Sequence, residues 1–176
     1  MESRLPCYDQ SRLLLDVTKV RYLFPTEHVN LTRPAHLPDQ QGVKYGASTL
    51  WHKEVQVIQQ NEYNAYIDAI DGTYLLEVCQ DVAKYIESSY KLAVGRVRII
   101  TLRPKVCLTY HTDPESSFRF HIPVVTNDNV LFIVDDVVQR MPLCGQLYQL
   151  EVQKKHTVLN ASREERIHLV FDGYVP

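Results

Sequence analysis

Phe118-Arg119-Phe120-His121-Ile122 and Arg166-Ile167-His168-Leu169-Val170-Phe171 are the two stretches on which the reading of this chain turns. Side chains along a strand alternate with period two, so the first stretch opposes Phe118, Phe120 and Ile122 to Arg119 and His121. The second opposes Ile167, Leu169 and Phe171 to Arg166 and His168. A single strand with a cationic face ordinarily meets solvent there. Two such strands together point to another arrangement, in which the cationic faces turn inward and line an interior that needs an anion to neutralise it.

Around these two, the second half of the chain reads as short strands at 97–102, 106–110, 118–125, 130–134, 146–150, 156–159 and 166–171, separated by turn residues. Strands at that spacing form a sandwich or a barrel. The first half differs. Leu75, Cys79, Val82, Ala83, Ile86 and Tyr90 recur at three and four, which predicts a helix over 74–92 with Thr73 as its cap and Gly95 beyond its end. A shorter helix is expected over 62–70. Residues 13–24 alternate, with Leu13, Leu15 and Val17 on one side, and are expected to form an edge strand ending before Pro25. The stretch 25–48 contains Pro34, Pro38, Gly42 and Gly46 and reads as a long irregular excursion; with Trp51 it is expected to cover an active site. The helices each carry one apolar stripe and need a sheet to lie against.

A chain of 176 residues with 45% hydrophobic content can bury one good core, so 1–176 is read as one domain, with 1–96 supporting a core at 97–176. Nineteen basic residues against twenty-one acidic ones, with no basic run, argue against nucleic acid as a partner. Cys7, Cys79, Cys107 and Cys144 lie far apart without a C-x-x-C pair, and no apolar run reaches the roughly 20 residues a membrane helix needs. These features fit reduced thiols, a cytoplasmic location and no membrane association. No phosphate-binding glycine loop, nucleophile elbow or zinc-type cysteine cluster is present.

His111-Thr112-Asp113 introduces a second kind of chemistry. On an extended segment, residues two apart project to the same side about 7 Å apart at Cα, so an imidazole and a carboxylate can converge on one ion. His-x-Asp triplets are common on surface turns, and the third ligand must come from another strand. His156, directly ahead of an apolar strand, is well placed. Two imidazoles and one carboxylate on one face of an octahedron leave three positions open, the facial triad of non-haem iron oxygenases. His28, His36 and His52 lack metal-ligand spacing and read as loop histidines. His168 shares the face of Arg166 and either lines the same pocket or packs as a core histidine.

The order and spacing of several pieces together are more specific than any one of them. They are the strand 97–102 followed by Pro104, then His111-Thr112-Asp113, Phe118-Arg119-Phe120-His121-Ile122-Pro123, Gly145-Gln146-Leu147-Tyr148, His156-Thr157-Val158-Leu159-Asn160, and Arg166-Ile167-His168-Leu169-Val170. In this order the stretch 97–172 resembles the aspartyl/asparaginyl β-hydroxylase-like family of 2-oxoglutarate oxygenases, which includes bacterial free-proline hydroxylases. The resemblance implies a mainly β fold with N-terminal helices, a double-stranded β-helix (jelly-roll, cupin-like barrel). It implies that His111, Asp113 and His156 bind Fe(II), that Arg166 grips the far carboxylate of 2-oxoglutarate, and that Arg119 and His121 help hold the same cosubstrate. Lys105 stands where the family usually has glycine, which removes no ligand. Asp113 matches the small microbial branch, since animal peptidyl aspartyl hydroxylases lack a carboxylate there.

The activity so implied is a dioxygenase that consumes O2, hydroxylates an amino acid or a peptidyl Asp, Asn or Pro side chain, and releases succinate and CO2. Substrate choice is expected to lie in 1–96, and oligomeric state is left open. The competing reading is a non-catalytic, cupin-like module that binds a metal or a small acid. It needs the three metal ligands but has no use for Arg119 and Arg166, whose presence favours the enzyme.

Overall fold

A computed structural model describes residues 5–32, 62–64, 70–113 and 118–176. Helix α1 spans Gln10–Leu23, opened by the Asp9 side chain accepting from the backbone N–H of Arg12. An edge strand was the expectation here. The burial pattern explains the difference: Leu13, Asp16, Val17 and Val20 are buried at helical spacing, whereas Leu15, the middle of the supposed alternation, is 59% exposed. Strand β1 (His28–Asn30) follows, and β2 (Glu62–Asn64) pairs with it in parallel. The expected helix over 62–70 therefore begins as a strand, because pairing with β1 overrides local preference. Helix α2 (Tyr74–Tyr90) is capped by Thr73, as the periodicity predicts. It ends at Lys91 in the left-handed conformation (φ 56°), and Gly95 lies inside the next strand.

Eight strands then build the barrel: β3 (Ala93–Leu102), β4 (Val106–Cys107), β5 (Phe118–Val125), β6 (Val130–Val134), β7 (Val137–Gln139), β8 (Tyr148–Leu150), β9 (His156–Asn160) and β10 (Arg166–Tyr174). They divide into two antiparallel sheets, ordered β3-β10-β5-β8 and β4-β9-β6-β7, with β1 and β2 extending the first beyond β3. Apart from the β6–β7 pair, consecutive strands cross from one sheet to the other, and this is the jelly-roll topology that the family resemblance implies. Strand β7 was not expected; it forms a hairpin with β6 through Asp135 and Asp136, both at positive φ, as a two-residue primed turn requires.

The outer face of the larger sheet carries Phe120, Ile122, Val124, Ile167, Leu169 and Phe171, all packed with α1 and α2 in one apolar core. A second, smaller core, including Leu102, Phe132, Leu150 and Val158, closes the space between the two sheets. The cationic faces of β5 and β10 thus turn inward. No helix among the described residues is long and apolar enough to cross a membrane. The expected cover, 25–48 with Trp51, lies largely outside the described residues, as do His36 and His52.

Candidate active site

His111 and His156 face each other across an isolated antiparallel bridge beyond the end of β4. Asp113 is anchored two residues on, its backbone N–H donating to Val152 O at 2.9 Å. Ligand atoms of His111, Asp113 and His156 lie within 4.8 Å of one another. The Nδ1 of His111 is 2.6 Å from Thr109 O, and the Nδ1 of His156 is 2.9 Å from Lys154 O. A carbonyl only accepts, so each imidazole carries a hydrogen on Nδ1 and turns its Nε2 toward Asp113. Those Nε2 atoms stand 3.8 Å (His111) and 3.5 Å (His156) from the Asp113 carboxylate.

This donor set fits a divalent transition ion. His156 Nε2 is buried without a hydrogen-bond partner, a state that costs free energy unless something else engages it. Two imidazoles oriented from behind by carbonyls, with one carboxylate, are the ligand type such an ion takes. Burial alone would raise the carboxyl pKa of Asp113. The contact with His156 and the charge of Arg119 outweigh that and hold it below the usual range, so it stays anionic.

Behind the triad lies a pocket lined by Arg96, Arg98, Arg119, Arg166, His121 and Asp172, among others. Asp172 is 1% exposed and gathers three guanidiniums: Arg119 Nε at 2.8 Å, Arg98 Nη2 at 3.2 Å and Arg96 Nε at 3.6 Å. Burial opposes its ionisation, but Arg98, Arg119 and Arg96 overcome this and hold its pKa far below the ordinary carboxylate range. Arg119 bridges outward, with Nη1 2.8 Å from Asp113 Oδ2. Its guanidinium therefore sits between two carboxylates of the protein.

Arg166 is in a different situation. It is 3% exposed, its Nε has no hydrogen-bond partner, and among the described residues no carboxylate pairs with it. Burial pushes its pKa down to about 9. Its guanidinium carbon lies 5.9 Å from the centre of the Phe132 ring. His121 shares the pocket wall, and His168 packs behind it, fully buried. Burial, followed by the charge of Arg166, keeps both rings neutral.

All six residues singled out from the sequence border this one space. Sequence reasoning missed Arg96, Arg98 and Asp172, although the signal was present. Arg96 and Arg98 alternate with Val97 and Ile99, and Asp172 continues the spacing of Arg166 and His168 along β10. His28, read as a loop histidine, instead opens β1 opposite Ile100 and lines the pocket.

A family model described as aspartyl/asparaginyl beta-hydroxylase matches residues 38–176. Similar solved structures include an oxidoreductase of the 2OG-Fe(II) oxygenase family from Burkholderia pseudomallei, at 18% identity and TM-score 0.49, covering 58% of this chain and 55% of that one. A cupin domain from Bordetella pertussis Tohama I shares 18% identity at TM-score 0.37, covering 47% and 90%. A cupin 2 conserved barrel domain protein from Salinispora arenicola shares 13% identity at TM-score 0.35, covering 46% and 74%. A search of curated proteins returns no match.

Proposed function

The chain belongs to the aspartyl/asparaginyl beta-hydroxylase family, and from that premise we propose that it is an Fe(II)- and 2-oxoglutarate-dependent dioxygenase hydroxylating an amino acid or a peptidyl Asp, Asn or Pro side chain. The observation that carries this reading is the pairing of two incomplete sites in one pocket. One is a three-donor set whose buried His156 Nε2 has no hydrogen-bond partner; the other is a buried guanidinium, Arg166, with no carboxylate partner among the described residues.

In this reading His111, Asp113 and His156 hold Fe(II), and Arg166 pairs with the remote carboxylate of 2-oxoglutarate. A guanidinium presents two parallel N–H donors to a carboxylate, and in a desolvated wall that pair is strong and directional. His121 adds a donor on the same side, and Arg119 borders the cosubstrate while keeping Asp113 oriented through Nη1. Fe(II) with 2-oxoglutarate and O2 supplies the oxidising power, yielding succinate, CO2 and a hydroxylated C–H position. The chain contributes orientation, a fixed charge pattern and exclusion of water; Ile100, Leu108, Phe132, Leu150 and Val158 are among the apolar residues of the pocket wall. A panel of free amino acids and of Asp-, Asn- and Pro-containing peptides, assayed for stimulated succinate release with Fe(II), tests the proposal. Succinate above the uncoupled background for at least one of them is expected, and none across the panel overturns the hydroxylase reading.

A further inference from the structure

Both histidines of the triad hydrogen-bond through Nδ1 to the carbonyl two residues earlier in the chain, His111 to Thr109 O at 2.6 Å and His156 to Lys154 O at 2.9 Å. In each case one residue, Tyr110 or Lys155, stands between the carbonyl and the histidine. The same turn holds both of these residues. Asp136, in the turn between β6 and β7, gives its backbone N–H to Tyr110 Oη and accepts the Tyr110 hydroxyl at Oδ1, each at 3.1 Å. Asp135, the other central residue of the turn, donates its backbone N–H to Lys155 O at 2.8 Å.

The two ties carry unequal weight. His156 opens β9 opposite Val134 of β6, and its side chain is 5% exposed, so strand pairing and burial already fix it. His111 lies past the end of β4, joined to β9 by an isolated bridge, and its side chain is 38% exposed. Its ring follows the Thr109–Tyr110 peptide, because the carbonyl of that peptide takes the Nδ1 hydrogen. Asp136 engages Tyr110 Oη as acceptor and donor at once, which restrains the side chain more sharply than one bond would. The contact is exposed, so water replaces it at little cost to global stability when the hydroxyl is removed.

We propose that Tyr110 is a positioning residue: held by Asp136, it fixes the Thr109–Tyr110 peptide and through it the His111 ring, so that Nε2 of His111 converges with Asp113 and His156. That the three hold Fe(II) rests on the functional reading above; the ordering of His111 does not. Removing a group that orients a metal-bound histidine costs roughly 10–100-fold in metal affinity, and Tyr110 acts one link further out. Anaerobic Fe(II) titration of Tyr110→Phe is expected to show binding weakened about fivefold or more, with the chemical melt of the metal-free protein little changed. Asp136→Asn keeps an acceptor at Oδ1, tolerates the backbone φ of 62° and should bind Fe(II) as the wild type does, which separates the hydrogen bond from the charge of the carboxylate. In metal-free protein, solvent exchange of the His111 backbone N–H should quicken about fivefold or more in Tyr110→Phe, while the amides of β10 keep their wild-type rates. Wild-type Fe(II) affinity in Tyr110→Phe, or equal losses in Tyr110→Phe and Asp136→Asn, overturns the proposal. If Tyr110→Phe fails to fold, Asp136→Gly, which removes Oδ1 and suits the same backbone, takes its place with the same expected loss. If the wild type binds no Fe(II), the functional reading falls and amide exchange alone judges this inference, an unchanged His111 rate overturning it.

Discussion

His111 and His156 exchange both of their backbone hydrogen bonds, His111 N to His156 O at 3.0 Å and His156 N to His111 O at 2.8 Å. Their rings lie side by side, 4.5 Å between centroids. Main-chain pairing thus sets the spacing of the two imidazoles before any ion arrives, and the Thr109 and Lys154 carbonyls orient their rings.

Removing either imidazole leaves two donors where three converge. His111→Ala and His156→Ala are each expected to lose Fe(II) affinity by more than about a hundredfold and to abolish turnover. The buried His156→Ala should also cost roughly 1–3 kcal/mol of stability, against no more than about 0.5 for the more exposed His111→Ala. Anaerobic Fe(II) titration and denaturant melts of both variants check this; wild-type iron binding in either would remove that residue from the triad.

Asp172 stabilises the fold by balancing Arg96, Arg98 and Arg119 in the barrel interior. Asp172→Asn removes the charge shared by three buried guanidiniums and is expected to cost about 3–5 kcal/mol. Its folded pKa is depressed. The contribution is therefore fully present above the unfolded-state value of about 3.9 and is lost as pH falls through the lower folded value. Wild-type stability should drop on acidification below about pH 4, and the acid limb of Asp172→Asn should be flatter. Parallel limbs in chemical melts from pH 7 to pH 2 would contradict the assignment.

Gly145 has φ +81°, and a Cβ there would lie 2.2 Å from the backbone oxygen of Tyr8. Tyr8 N–H donates to Gly145 O at 2.9 Å, so this contact ties the N-terminal segment to the loop before β8. Gly145→Ala must break that tie or strain it, with an expected loss of about 2–4 kcal/mol. Gly72, also at positive φ but with open space around it, should lose only about 1 kcal/mol on the same change. Equal melting temperatures for the two variants would show that the Tyr8 contact is not limiting.

The barrel was legible because period two is strict: in 118–122 and 166–171 every second residue is apolar, and those residues are the ones packed on the helices. The clustering of His111, Asp113 and His156 was legible from His111-x-Asp113 and the family order of motifs. The first helix was not, because Leu13, Leu15 and Val17 fit period two as well as Leu13, Val17 and Val20 fit the helical period, and only burial separates them. Arg96 and Asp172 escaped for a related reason. Arg96 lies just before the expected start of β3 and Asp172 just past the expected end of β10, and strand ends are set by pairing, which local sequence does not encode.

Anaerobic titration of 2-oxoglutarate into Fe(II)-loaded wild type, Arg166→Ala and Arg166→Lys, followed through the metal-to-ligand absorption band, tests the central claim most directly. An arginine–carboxylate pair in a desolvated pocket is worth roughly 2–5 kcal/mol when one partner is truncated, and about 1.4 kcal/mol is tenfold in affinity. The account predicts one Fe(II) per chain in all three proteins and a saturable band in the wild type. It predicts about thirtyfold or weaker binding in Arg166→Ala, and partial recovery in Arg166→Lys, which keeps the charge but not the planar fork. Wild-type affinity in Arg166→Ala would contradict the cosubstrate assignment, and iron binding with no band in the wild type would leave a cupin-like binding module in place of an oxygenase.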